Sequence, residues 1–380
     1  MKYVDEFRDP HKAQALAREI RELMRSIERT RARPLQIMEV CGGHTHTIFR
    51  YGIAQLLPDS VELVHGPGCP VCVLPMGRVD DCVALAERPQ VIFATFGDAM
   101  RVPGSRKSLL RAKADGADVR MVYSPLDALA LARENPRREV VFFGLGFETT
   151  MPSTAMTVLQ ARDEGIGNFS LFCNHITIIP TLQALLDAPE MDLDGFLGPG
   201  HVSMVIGSRP FGFVARKYRR PLVVSGFEPL DVLQSLWMVV KQLAEGRCEV
   251  ENQYERVVSE GGNAAALDAV RQVFELRESF EWRGLGPVEH SGVRVREEFA
   301  RFDAERRFAL GSVAVADPEA CQCGEVLKGV LRPHECRLFG TACTPHTPVG
   351  ALMVSSEGAC AAQYQYGRID TSALAGRVSA

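Results

Sequence analysis

From Leu35 to about residue 250 the chain alternates short apolar runs with helical stretches, and this alternation restricts the fold more than any other feature. Strand-like runs fall at 35–40, 61–65, 90–95, 118–123, 139–144, 168–173, 194–197 and 221–225. Helical patterns at 79–88, 105–114, 125–134, 150–163 and 229–245 separate many of them. Strands joined through helices pair in parallel, and a parallel sheet is covered by helices on both faces. The fold class is therefore α/β. An amphipathic helix is expected ahead of it over 11–31, where Ala15, Ile20, Leu23, Met24 and Ile27 recur at helical spacing.

A chain of 380 residues exceeds one ordinary core, so two or three domains are expected. The sequence also repeats itself. Cys41 and Gly66-Pro67-Gly68 have counterparts at Cys173 and Gly198-Pro199-Gly200, both displaced by 132 positions, and the same shift sets Cys69 against His201. This reads as a duplicated parallel-sheet α/β unit, with a first domain over 1–125 and a repeat-related second over 126–250 that lacks the paired thiols. Residues 251–380 form a third, smaller unit. It begins with a charged helical stretch over 251–281, with Val257, Ala266, Val270, Val273 and Phe274 as its buried stripe, and ends in a loop-rich, Cys-rich tail. A segment so poor in core pattern needs another support, and metal ligation is the usual one.

Two Cys/His clusters directly follow strand-like runs. Cys41, His44 and His46 stand in CGGHTH after the first run, and His65, Cys69 and Cys72 in HGPGCPVC after the second. In an open α/β sheet, ligands bind in the loops leaving the carboxyl ends of the strands, so the two clusters face each other at one sheet edge. The Gly42-Gly43 pair lets the backbone turn sharply and brings Cys41 and His44 together. A thiolate with an imidazole three residues on suits iron, zinc or nucleophilic catalysis. The Cys69-x-x-Cys72 spacing permits a reversible disulfide. Its plain alternative, half of a zinc site, lacks a second C-x-x-C to complete it. Asp98 and Glu148 each follow a strand and either face the same cleft or cap a following helix. Glu357, in VSSEGAC, reaches the cleft if the tail folds back. Neither GxGxxG nor GxxxxGK[ST] is present.

In the tail, Cys323, Cys336, Cys343 and Cys360 are separated by 12, 6 and 16 residues. Four thiolates on irregular loops hold either a 4Fe–4S cluster or a tetrahedral zinc, and spread ligands favour the cluster. Cys321 competes with Cys323 for the first position, and spacing leaves that choice open. A balance of 43 basic against 47 acidic residues leaves no basic footprint for nucleic acid. No apolar run approaches the roughly 20 residues of a membrane helix. The polar start MKYVDEFRDPHK and the eleven cysteines point to a reducing cytoplasm.

Taken together, CGGHTHTIFRYG, HGPGCPVC, TFGDAMRVPGS, FFGLGFETT, LGPGHVS and the Cys-rich tail resemble the HypD family of nickel–iron hydrogenase maturation proteins, from residue 41 to about 366. One departure is Leu352, where many relatives are expected to carry a further cysteine; that position is then not a required ligand. The resemblance implies two similar α/β domains, a cluster-bearing third domain, and a redox-active scaffold for the Fe(CN)2CO iron centre. It implies a HypC-like chaperone and a HypE-like donor that delivers cyanide as a thiocyanate, with no nucleic acid or membrane partner. The chain is expected to be a monomer on its own. Carried over, Cys41 holds the transient iron with His44 close by, Cys69 and Cys72 act as a redox pair, and Glu357 joins the reacting site. Cys323, Cys336, Cys343 and Cys360 then hold the 4Fe–4S cluster. A second reading is a 4Fe–4S-dependent disulfide reductase with Cys69 and Cys72 as its working thiols, and a third is a zinc-stabilised binding module. Cys41 discriminates, because a reductase needs no third thiol on a Gly-Gly turn.

Overall fold

All eight strand-like runs form strands, and a ninth, too short to stand out in the sequence, joins them. The computed structural model describes residues 4–29, 31–188, 191–311 and 315–367. In chain order the strands are β1 (Leu35–Glu39), β2 (Val61–His65), β3 (Val91–Thr95), β4 (Val119–Met121), β5 (Glu139–Gly146), β6 (Phe169–His175), β7 (Gly195–Pro199), β8 (Leu222–Ser225) and β9 (Val250–Asn252). They make two sheets, ordered β2-β1-β7-β8-β9 and β4-β3-β5-β6, and every pair is parallel.

The two sheets share one plan. In each, the first strand is central, the second lies outside it, and the next two extend the other side. The α/β unit is thus duplicated, with β1, β2, β7 and β8 matching β3, β4, β5 and β6. Sequence order does not follow this plan. The chain builds β1 and β2, leaves to make the whole second sheet, and returns to complete the first, so the sheets do not divide into 1–125 and 126–250. Apolar parallel strands look alike in sequence, and nothing local states which one a strand will pair with. The 132-residue shift likewise maps β2 onto β7, two strands that flank β1 within a single sheet.

The first core lies under helix Pro10–Glu28, capped by the Asp9 side chain on the His11 and Lys12 amides with Pro10 in its first turn. Its Ala17, Ile20, Met24 and Ile27 pack toward helix Pro229–Ala244 and the face of β1 and β8. Burial of each larger side chain is worth on the order of 2 kcal/mol. In the second core, Val140, Phe142, Phe169 and Leu171 meet helix Met151–Asp163.

Residues 251–281 depart from the expected helical stretch. Only Ala264–Val273 is helical, and Val257 is 44% exposed rather than part of a buried stripe. Gly262 breaks the pattern: its φ is +73°, and its backbone lies so close to the Val205 carbonyl that no side chain fits. After Val273 the chain forms two short antiparallel pairs, Phe274–Leu276 with Val293–Val295 and Ser279–Trp282 with Gly286–Glu289. Val273, Phe274, Val293, Val295, Phe299 and Phe302 extend the core of the second sheet. The cysteine-rich tail is mostly turns, with short helices at Cys323–Leu327 and Ala359–Tyr366. Val326, Leu327, Leu352 and Cys360 share a core with Val64, Cys69 and Cys72. The tail therefore folds back over the carboxyl edge of the first sheet. Among the described residues no helix is long and apolar enough to cross a membrane.

Candidate functional site

β1 is where the strand order of the first sheet reverses, with β2 on one side and β7 on the other. Connections leave such a point in opposite directions and open a crevice above it. Cys41 emerges there, one residue past Val40, with extended backbone (φ −151°, ψ 121°) at the start of helix Gly42–Arg50. Buried Glu39 fixes the turn. One of its oxygens accepts the Cys41 N–H at 3.0 Å; the other takes the Thr45 hydroxyl and meets His65 Nδ1 at 2.8 Å.

The repeated Gly-Pro-Gly turns cradle this point from both sides. Gly68 packs backbone to backbone on Val40 and Cys41, where any Cβ would overlap main-chain atoms, and its carbonyl accepts the Gly42 N–H at 3.1 Å. Across β1, Gly200 lies equally tight against the Ser225 carbonyl.

Above the crevice stands the carboxyl edge of the second sheet, which contributes Phe96–Ala99 after β3, and Leu145–Phe147, Thr149 and Thr150 at and after the end of β5. Between the edges lies a cleft of about 500 Å³. Its walls include Cys41, Pro70, Val71, Asp98, His201 and Glu357. Met121 and Tyr123 also line it, and both are exposed. Burial pushes the Cys41 thiol well above its ordinary pKa, and the nearby charges of Glu357 and Glu39 push the same way.

His44 does not reach the cleft. Its ring is fully buried, with Nε2 3.2 Å from the Ser225 carbonyl and Nδ1 without a partner. It stacks on Phe227 at 4.9 Å, and burial lowers its pKa, so it stays neutral. The opposite face of Phe227 carries His201 at 3.7 Å. The imidazole on the cleft is therefore His201, and His44 is its support two rings behind. Helix Gly42–Arg50 starts immediately after Cys41, and its winding turns His44 beneath the sheet edge. The available signal for His201 was its place after the second Gly-Pro-Gly, in register with Cys69. His46 and His65 also point elsewhere, toward the Ser356 carbonyl and Glu39.

Cys69 and Cys72 form a disulfide with Cα atoms 5.2 Å apart. Both are buried, while Pro70 and Val71 between them line the cleft. One tail segment, Ser355–Cys360, then touches every part of the site. The Ser355 hydroxyl donates to Asp98 at 2.9 Å, Glu357 packs on the Gly42 turn, Gly358 abuts the Cys72 sulfur, and Cys360 lines a second cavity. Burial raises the Glu357 carboxyl, and the charges of Asp98 and Glu39 add to the effect. Glu148 lies apart from the cleft walls. One of its oxygens accepts the Ile178 N–H at 3.0 Å, capping helix Ile178–Asp187, and the other has no partner. Burial lifts this carboxyl to about 7.

The second cavity is small and apolar. Cys321, Cys323, Cys336, Cys343 and Cys360 all line it, with Val326, Leu338, Phe339 and Met353 between them. Backbone N–H groups of Val349 and Leu352 point at the sulfurs of Cys343 and Cys323. Among the described residues, no three His, Cys, Asp or Glu side chains converge as a single ion requires. Thiols ringing a shared apolar space, with amides turned toward sulfur, are a donor set of the kind a four-thiolate iron–sulfur cluster uses.

Comparison with known proteins agrees with this architecture. Residues 12–367 match the HypD family model, described as the hydrogenase formation hypA family. The chain is 60% identical to the hydrogenase maturation factor HypD of Rhodobacter capsulatus, covering 97% of this chain and 98% of that one. It is 57% identical to HypD of Escherichia coli (strain K12), over 98% and 100% of the two chains. It is also 56% identical to the hydrogenase expression/formation protein HupD of Azotobacter chroococcum mcd 1, over 97% of each. With matches of this extent on a duplicated α/β fold whose cysteines gather at two adjoining sites, the chain belongs to the HypD family of hydrogenase maturation factors.

Proposed function

We propose that this chain assembles the Fe(CN)2CO centre of nickel–iron hydrogenases, with Cys41 holding the iron while its diatomic ligands are added. It works in the cytoplasm with a HypC-like chaperone, which supplies a second thiolate, and a HypE-like donor, which brings cyanide as a thiocyanate. One observation carries the reading. Cys41 stands on an open cleft at the strand-order reversal, and a single segment, Ser355–Cys360, joins it to the Cys69–Cys72 disulfide and to the cysteine cavity.

Thiolates are soft donors suited to iron that carries strong-field ligands. Burial makes the Cys41 thiol resist ionising, so the incoming iron must displace its proton. Glu357, beside the turn, is the acceptor at hand, because burial makes its carboxylate more basic than usual. His201, fixed on Phe227, faces the same space and offers a second polar contact.

Cyanide release from a thiocyanate consumes two electrons. Cys69 and Cys72 as a dithiol supply them: two thiols and one thiocyanate give a disulfide, the donor's free thiol and hydrogen cyanide. Cyanide then binds the iron as the anion, and its proton leaves. The disulfide form is the oxidised end of that exchange. A 4Fe–4S cluster held by Cys323, Cys336, Cys343 and Cys360 would supply electrons one at a time from the adjoining cavity. Gly358 keeps the contact between the two places short, since its Cα side faces the Cys72 sulfur directly.

A plain disulfide reductase is disfavoured. Such an enzyme needs no third thiol, whereas Cys41 lines the cleft on its own Gly-Gly turn. The test is infrared spectroscopy of the anaerobic complex with a HypC-like chaperone, made in cells that hold a HypE-like donor. Bands of iron-bound cyanide and carbonyl, with iron in excess of the cluster, are expected; a complex that never carries them rules the reading out.

A further inference from the structure

Four irons at the corners of a 4Fe–4S cluster take one protein thiolate each, and the cavity offers five. The surplus lies at one corner. Cys336, Cys343 and Cys360 each come from a separate segment of the tail, whereas Cys321 and Cys323 are divided by Gln322 alone. Their sulfurs are 3.3 Å apart and not bonded. Gly350 lies against both: a Cβ there would overlap the Cys323 sulfur and stand 2.6 Å from that of Cys321. The two thiols thus occupy the same patch of cavity wall. Cys323 opens helix Cys323–Leu327 and is buried beside Cys360, while Cys321 sits two residues earlier, ahead of the helix, and is only partly buried.

We propose that Cys321 and Cys323 are interchangeable ligands for one iron of the cluster, so that this corner exchanges between an inner and an outer thiolate. The proposal rests on the cluster reading above. A small rotation about the Cys321–Gln322 link brings either sulfur to the same point, and the displaced ligand stays within hydrogen-bond reach as a thiol. The exchange moves that corner between the buried side shared with Cys360 and the more open side at Cys321. Solvent exposure and hydrogen bonding at sulfur tune cluster potential, so ligand choice here sets how readily the cluster gives up an electron.

The experiment uses the full chain, reconstituted anaerobically with iron and sulfide, as wild type, Cys321→Ser, Cys323→Ser and the double variant. Iron and sulfide content, absorbance and the reduced-state electron paramagnetic resonance spectrum are the readouts. Each single variant should keep about four irons per chain with a shifted resonance spectrum, and the double variant should lose the cluster. A Cys323→Ser chain that is folded yet as empty as the double variant makes Cys321 a bystander and overturns the proposal; an empty Cys321→Ser chain overturns it the other way. A second measurement needs no variant. Alkylation of the intact holoprotein followed by peptide mass mapping should find one label per 321–323 segment, distributed over both cysteines. A label confined to one of them contradicts exchange. A wild type that takes up no iron and sulfide at all fails the underlying cluster reading instead, and the proposal with it.

Discussion

Glu357 lies directly over Gly42: a Cβ on the glycine would stand 2.5 Å from the Glu357 Cβ and 2.7 Å from its carboxylate oxygen. The contact spans more than three hundred residues of sequence, and it sets the tail carboxylate beside the Cys41 thiol. It exists only because position 42 has no side chain.

Gly42→Ala should therefore displace Glu357 and impair iron loading at Cys41 by about tenfold or more while leaving the tail cluster in place. Glu357→Gln keeps the shape and removes the charge that helps to raise the Cys41 thiol. Its Cys41 should ionise at lower pH and alkylate faster with iodoacetamide, while hydrogenase maturation falls. Unchanged alkylation kinetics would show that Glu357 does not act on the thiol.

Gly358 gives a second prediction. A methyl group there would collide with the Leu352 carbonyl and lie 3.0 Å from the Cys72 sulfur. Gly358→Ala should keep its iron but slow the reduction of the Cys69–Cys72 disulfide when the protein is treated with a one-electron reductant. Thiol trapping over time measures this. A rate equal to wild type would separate the disulfide from the cysteine cavity.

Much of this arrangement was legible in the sequence. The eight apolar runs gave the strands and the α/β class, because period and length are local properties. The place of Cys41 at the sheet edge was legible for the same reason: a Gly-Gly turn after a buried run leaves little freedom in where it sits. Sheet membership was not legible, since β2 and β3 follow each other in the chain yet belong to different sheets. That His201 rather than His44 faces the cleft was not legible, since it depends on the winding of helix Gly42–Arg50 and on the position of Phe227, which arrives from β8. Glu148 could be read as a helix cap, but not that it caps a helix beyond the next strand.

Glu148 also carries a pH dependence. Its folded carboxyl titrates near 7, against an ordinary value of 4.5. Between those limits the folded chain holds one proton more than the unfolded chain, so stability falls as pH rises from about 4.5 to about 7 and is flat beyond. The shift corresponds to on the order of 3 kcal/mol. Glu148→Gln retains an acceptor for the Ile178 N–H and has no charge to bury. It should melt higher than wild type at pH 8 and no higher at pH 4.5. Equal melting differences at both pH values would contradict this.

In the tail, Cys336→Ser, Cys343→Ser and Cys360→Ser should each abolish the absorbance near 400 nm (roughly where thiolate-to-iron charge transfer falls) and loosen residues 315–367 toward proteolysis. Each of these cysteines comes to the cavity from its own segment of chain, with no second cysteine two residues away. Retention of the full absorbance by any one of them would remove it from the ligand set.

The most direct test of the scaffold itself is infrared spectroscopy of the complex between a HypC-like chaperone and the Cys41→Ser chain, compared with wild type. Cys41 contributes little to the core and its turn is held by Glu39 and Gly68, so the variant should fold, keep its tail cluster and keep the Cys69–Cys72 pair. The account predicts that the bands of iron-bound cyanide and carbonyl disappear from the variant complex. Bands of normal intensity without Cys41 would contradict it and place the iron on other ligands.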